Sequence, residues 1–177
     1  MWGLTKKALN STVGSGMKTL DKISEQIGVN SVYDLISSIN LSAPNNKIFV
    51  APRKKVLSGI ATNIAELQFV AISSETEAIG DGFFYDCREL QDINIPCVKT
   101  IGAGTFEASG LKSIVLGTDL VEIGAAAFRG CEGLTDIFYR GTKYQWDRVY
   151  KGQNWDYATN EYIVHCYDGD ITKSRDS

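Results

Sequence analysis

The chain has 177 residues, 44% of them hydrophobic and 22% charged, with a net charge of −3, four cysteines and a single histidine. That is enough apolar material for one well-packed core, so a disordered chain is excluded. The acidic balance argues against a nucleic-acid-binding protein, and no stretch approaches the roughly 20 apolar residues of a membrane helix.

Residues 1–56 carry eight Lys/Arg against three Asp/Glu and show no internal repeat. The first sixteen are rich in Ser, Asn, Gly, Thr and Lys, and alone they are expected to be flexible. No apolar run of signal-peptide length follows Met1–Lys7, so the expectation is synthesis in the cytosol without export. Met17, Leu20, Ile23 and Ile27 then fall on one helical face, with Gly28 as the stop. Ser31 and Asp34 resemble a capping arrangement ahead of a second short helix carrying Val32, Leu35, Ile36 and Ile39. A turn at Ser42–Asn46 leads to two expected short strands, Lys47–Ala51 and Lys55–Leu57, around Pro52-Arg53. Residues 1–56 are read as a docking segment.

From residue 57 the pattern changes. Ile-Gly recurs at Ile79-Gly80, Ile101-Gly102 and Ile123-Gly124, and Phe84, Phe106 and Phe128 keep the same step of 22 residues. A fixed period of this length marks a solenoid. Each unit has a small-residue turn, an aromatic, and then Leu-x-x-Ile-x-apolar: Leu90, Ile93, Ile95; Leu111, Ile114, Leu116; Leu134, Ile137, Tyr139. The period-two alternation predicts a short strand with one face in the core. The three phenylalanines are expected to stack in a column. The fold class is therefore an α/β or mainly β solenoid with a small helical N-terminal appendage. Residues 57–78 form an entry cap in which Leu67, Val70 and Ile72 mimic Leu90, Ile93 and Ile95. Residues 79–142 form three repeats and 143–177 a C-terminal cap.

The grammar of Ile123, Gly124, Ala127, Phe128, Cys131, Leu134 and Ile137 resembles the BspA-type (treponemal) leucine-rich repeat. So does the closing segment, with Tyr139–Trp146, then Trp155, then Ile163–Gly169. The resemblance covers roughly residues 57–169, and the second unit departs from it with Ser109 in place of Cys and one residue fewer before Leu111. It implies parallel strands on one edge, interaction functions such as adhesion, and no catalytic machinery. Separately, Leu4–Gly14 resembles the N-termini of some bacteriophage structural proteins. That resemblance implies a virion component made in the host cytoplasm, with a neighbouring subunit as partner; Leu4, Lys6, Lys7 and Leu9 are the docking residues. A host-surface protein or glycan is a further expected partner, for the exposed solenoid; the alternative is a bacterial or microbial surface adhesion or interaction protein, and a homo-oligomer stays open.

Cys87 and Cys131 hold the same repeat position two coils apart. Strands about 4.8 Å apart put them too far from each other for a disulfide. His165, Cys166, Asp168 and Asp170 form a tempting ligand set, but 165 and 166 point to opposite faces of a strand. His165 beside Cys166 is likewise a poor nucleophile pair. Gly80-Asp-Gly82 and Gly102-Ala-Gly104 recur with the repeat and read as turn glycines, not a dinucleotide loop. Arg53-Lys54-Lys55 with Lys6, Lys7, Lys18 and Lys22 lack the interleaved aromatics of a nucleic-acid surface. Gln145, Trp146, Trp155 and Tyr162 form either a sugar platform or a core plug, the latter favoured. No enzyme activity, cofactor or metal is expected. The candidate binding surface is the outward strand face: Asp92, Asn94, Lys112, Val115, Asp136 and Phe138, with Arg140 nearby. It faces either a partner or the chain's own N-terminal segment. Residues 79–139 hold nine acidic against four basic residues, opposite in sign to the N-terminal part.

Overall fold

The structure is a computed structural model and describes residues 48–59 and 66–173. The two helices read in residues 17–39 lie outside the described residues, as do Leu4, Lys6, Lys7 and Leu9. Twelve strands and one short helix are described: β1 Ile48–Val50, β2 Val56–Leu57, β3 Phe69–Ala71, β4 Ala78–Ile79, β5 Asp92–Ile95, β6 Thr100–Ile101, β7 Ser113–Leu116, β8 Glu122–Ile123, β9 Asp136–Tyr139, α1 Lys143–Asp147, β10 Tyr150–Lys151, β11 Tyr162–Cys166 and β12 Gly169–Lys173.

Successive coils stack into a β-solenoid. The short strands form one parallel sheet in the order β10-β8-β6-β4-β2, and the longer strands form another, β12-β11-β9-β7-β5. Ile79 pairs with Ile101 and Ile101 with Ile123, so the Ile of each Ile-Gly lies over its equivalent. In the longer sheet Ile93, Ile114 and Ile137 align, as do Ile95, Leu116 and Tyr139. Each longer strand of these three repeats alternates half-buried with buried residues, as period-two patterning demands. Strand β1, inside the segment read from sequence as an appendage, pairs in parallel with β3, and Ala51 is fully buried in the solenoid core.

The third side of each coil has no strand. It is a run of tight turns whose amides donate to the next coil: Gly82 to the Ala103 carbonyl, Phe84 to Thr105, Asp86 to Glu107, and so on through Phe128 to Trp155. These turns need left-handed backbone. One such column runs Gly82, Gly104, Ala126, Asn154, at φ of 61°, 60°, 55° and 55°. The glycine of each Ile-Gly has a different reason: a Cβ on Gly102 would lie 2.6 Å from the Asp81 backbone nitrogen, so coil contact forbids one.

Inside, Phe84 and Phe106 stack with centroids 5.6 Å apart and planes 11° apart, and Phe106 and Phe128 at 5.4 Å and 11°. Centroids farther apart than the coil spacing of about 4.8 Å mean offset stacking, the favoured parallel arrangement. The column is closed edge-on at both ends, by Phe49 of β1 against Phe84 at 6.1 Å and by Trp155 against Phe128 at 5.9 Å. A parallel polar column runs beside it. Ser109 is buried where its neighbours have Cys87 and Cys131, and its hydroxyl lies 3.4 Å from the Cys131 sulfur, which donates to the Phe106 carbonyl. Ser109 thus fills the cysteine position without displacing the coil. Burial pushes the Cys131 thiol up to about 11, and neither Cys87 nor Cys131 is in a disulfide.

The last coil ends the stack by changing chemistry. Thr142 and Gln145 form a reciprocal capping box that starts α1, and α1 drives Trp146 into the core. Lys151 takes the place of the column isoleucine; its ammonium donates to the Trp146 and Val149 carbonyls at 2.8 and 3.0 Å and lies 4.6 Å from the Trp146 ring centroid. Its stem covers the apolar end while its head satisfies carbonyls of the α1–β10 segment. Beyond β11 the chain reverses, and β12 pairs antiparallel. Lys173 of β12 and Tyr162 of β11 meet at Asp156, at 3.0 and 2.7 Å.

Two outcomes test this packing. Phe106→Ala, read by denaturant unfolding, should lose about 3–5 kcal/mol, as truncation of a fully buried aromatic does. Ala126→Gly should gain about 0.5–1 kcal/mol, because the left-handed conformation strains a Cβ by more than glycine's added chain entropy costs.

Candidate functional site

The outward face of the longer sheet is built by register. One row crosses Asp92, Ser113 and Asp136; the next crosses Asn94, Val115, Phe138 and His165. Six of the sequence-derived residues therefore do not all stand as read. Asp92, Asn94, Val115, Asp136 and Phe138 share the face, but Lys112 precedes β7 and Ser113 holds its place in the row. Counted from the Leu anchor, the position two residues on is Asp92, Ser113 and Asp136 in the three coils, so Lys112, one residue after Leu111, falls outside the row. Arg140 lies just past β9, its amide donating to the Leu116 carbonyl. Lys112 and Arg140 are exposed, flanking the rows, whereas the row residues are half-buried.

Stacking dictates the polar pattern. Identical coils would set carboxylate on carboxylate; here Ser113 separates Asp92 from Asp136 and donates to Asp92. On the other strand face Lys55, Glu77 and Lys99 alternate at 3.3 and 3.1 Å, and the two lysines hold the Glu77 carboxyl below its usual range. Arg53 of the basic run meets Glu75 at 3.5 Å. Arg53 and Lys55 are thus matched to acidic residues one coil on.

His165 extends the row beyond what the sequence reading reached. Its ring lies over Phe138, centroids 4.8 Å apart and planes at 16°. Nε2 is 2.8 Å from Asp136 and Nδ1 3.1 Å from Asp170. Asp136, then Asp170, raise its pKa above the ordinary value against the opposing effect of burial. The ligand set drawn from sequence disperses: Asp168 accepts from the Lys143 amide, while His165 turns to the two carboxylates. Among the described residues no group of three or more His, Cys, Asp and Glu is placed to hold a metal. Trp146 and Tyr162 are buried, Trp155 packs between them, and Gln145 is spent on the helix cap, so this set plugs the solenoid end. The exposed aromatics among the described residues are others: Tyr85, Tyr144, Tyr150, Tyr157 and Tyr167, the last 88% exposed. Isolated tyrosines carry no period, which is why sequence patterning passes them over.

A neutral imidazole has one N–H, so donating to both carboxylates requires the imidazolium. A raised folded-state pKa stabilises fully below the unfolded value near 6.5 and loses that contribution as pH rises through the folded value. Thermal melting from about pH 5.5 to about 8.5 should show that loss, about 0.5–1 kcal/mol for a solvent-screened pair, and His165→Gln should remove the component.

Comparison with known proteins bears on the whole coil array. A family model described as a BspA type leucine rich repeat region matches residues 58–149 in 6 copies. No curated protein matches the chain. A solved structure of a leucine rich cell surface protein from Faecalibacterium prausnitzii A2-165 is 27% identical, with a TM-score of 0.47, over 50% of this chain and 24% of that one. The chain therefore spans about a quarter of that protein's length. Among the described residues no helix is long and apolar enough to cross a membrane. With the family model matched over more than half its length, and the coils stacked Ile on Ile and Phe on Phe at that repeat, the chain belongs to the BspA-type leucine-rich-repeat family.

Proposed function

We propose that the chain is a non-enzymatic protein-interaction module, and more narrowly a component of an assembled particle such as a virion. In this reading residues 1–16, with Leu4, Lys6, Lys7 and Leu9, dock on a neighbouring subunit. The solenoid is held outward, and Asp92, Asn94, Val115, Asp136 and Phe138, flanked by Lys112 and Arg140, form its contact face. The observation that carries it is the register itself. Stacking lines up side chains from successive coils into rows on a rigid sheet, with apolar Val115 and Phe138 in the middle and charges around them. Apolar centres with polar rims are the composition of protein contact sites. The leucine-rich-repeat family supports interaction as the coarse function. Display on a cell surface, with a protein or glycan ligand, is the competing placement.

Deleting residues 1–16 should leave the melting transition of the solenoid unchanged, because the repeat core begins far downstream. Incorporation into the particle, followed by co-sedimentation with assembled material, should be lost. Normal incorporation of the truncated chain would overturn the docking role. Recovery of the chain on intact cells rather than on particles would place it at the cell surface.

A further inference from the structure

The strand that closes the longer sheet has an edge of its own. β12 pairs antiparallel with β11 over five consecutive residues, from Cys166 opposite Gly169 to Tyr162 opposite Lys173. The Ile163 amide donates to Thr135 and the Tyr167 amide to Gly141, so odd-numbered residues here turn their backbone groups toward β9. Tyr162, Val164 and Cys166 therefore exchange hydrogen bonds with Lys173, Ile171 and Gly169. That alternation puts the N–H and C=O of Asp170 and Thr172 on the far edge. No strand among the described residues pairs with them there.

Sheet edges are ordinarily guarded by short length, a lysine, a proline or a bulge. The last strand of the shorter sheet is guarded in this way: β10 has two residues, and the Lys151 ammonium takes up the Val149 carbonyl beside it. β12 has five residues, no proline and an unbroken register. Both of its charges turn away from the edge. The Lys173 ammonium lies 3.0 Å from Asp156 and 3.0 Å from Thr159, and the Asp170 carboxylate lies 3.1 Å from His165.

The edge is complementary to itself. Antiparallel pairing with another such edge must set even-numbered residues opposite even-numbered ones, because only those carry free backbone groups. Asp170 opposite Asp170 sets two carboxylates together, and Thr172 opposite Thr172 sets Ile171 against Lys173; neither is a favourable cross-strand pair. Asp170 opposite Thr172 avoids both. It uses every free backbone group of the two strands and gives each carboxylate a threonine hydroxyl. Ile171, half-buried and packed against the core, then meets its own copy across the axis. β12 lies outside β11 in the sheet order, so it is the first layer to touch.

We propose that β12 joins two copies of this chain edge to edge, antiparallel, with the twofold axis at Ile171. The two longer sheets run on as one, five strands from each copy. A twofold contact closes on itself, so the product is a dimer and not a fibre. The solenoids lie tail to tail, with their β1 ends pointing apart. The dimer is independent of where the module is displayed.

Sedimentation equilibrium of the full chain, with no other protein present, tests the contact. The parent's mass should approach that of two chains as concentration rises. Thr172→Pro deletes an outward N–H and leaves the ladder to β11 whole, so it should stay a single chain with the parent's folded spectrum. A parent that stays single at every concentration overturns the proposal, as does a folded Thr172→Pro variant that still pairs. If that variant loses its fold, engineered thiols decide. Ile171→Cys places two sulfurs across the axis, where Cα atoms of non-hydrogen-bonded partners are about 4.5 Å apart, within disulfide reach. Thr172→Cys lies about 8 Å from its own copy in this register, beyond reach. On oxidation and non-reducing electrophoresis, Ile171→Cys should give several-fold more covalent dimer than Thr172→Cys or the parent. Equal linking at the two positions, or linking no greater than the parent's, overturns the pairing.

Discussion

Each coil of this protein lies on another copy of its own pattern, about one strand spacing away, and must be compatible with it. That single constraint explains most of the interior. Ile79, Ile101 and Ile123 gain from lying on one another, and Phe84, Phe106 and Phe128 gain more, since offset rings at this spacing sit near their favoured geometry. It also forbids a Cβ at Gly102, Gly110, Gly117 and Gly124, where the backbone of the coil before comes too close. Charges obey the same constraint in the opposite sense. Lys55, Glu77 and Lys99 alternate, and a serine separates Asp92 from Asp136.

A stack of identical coils has no natural end, and an open end exposes both apolar surface and unpaired strand edges. The two ends are closed differently. At the first, β1 returns beside β3 and Phe49 turns its ring edge to Phe84. At the last, an inserted helix brings in Trp146, Trp155 breaks the parallel ring column, and Lys151 replaces the column isoleucine. The antiparallel β12 then lays a reversed strand against the sheet and ties it down at His165 and Asp156. The His165 clamp belongs both to this closure and to the outward row. The stability of the cap and the charge of the contact face are therefore coupled through one imidazole.

The same stacking produces the surface on which the functional reading depends. Rows of outward side chains are fixed by strand register rather than by loops, so their spacing is rigid and repeats from coil to coil.

The repeat, its 22-residue step, the aromatic column and the strand alternation were legible in the sequence, because each is a periodic pattern imposed by packing equals on equals. The family resemblance followed from the same residues and holds. Reading Lys112 into the row is one position early; the Leu-x-x-Ile spacing already puts Ser113 there, and strand pairing agrees. Other features needed the folded chain. His165 reads as an isolated histidine until β11 brings it beside Phe138 and β12 brings Asp170 to its far side. The pairing of β1 with β3 joins residues twenty-one apart in the chain, inside a segment read from sequence as lying outside the repeats. Sequence determined what repeats, since repetition is local and countable. Tertiary structure decided how the repetition ends and which side chains share its outer face, since both depend on contacts between residues far apart in the chain.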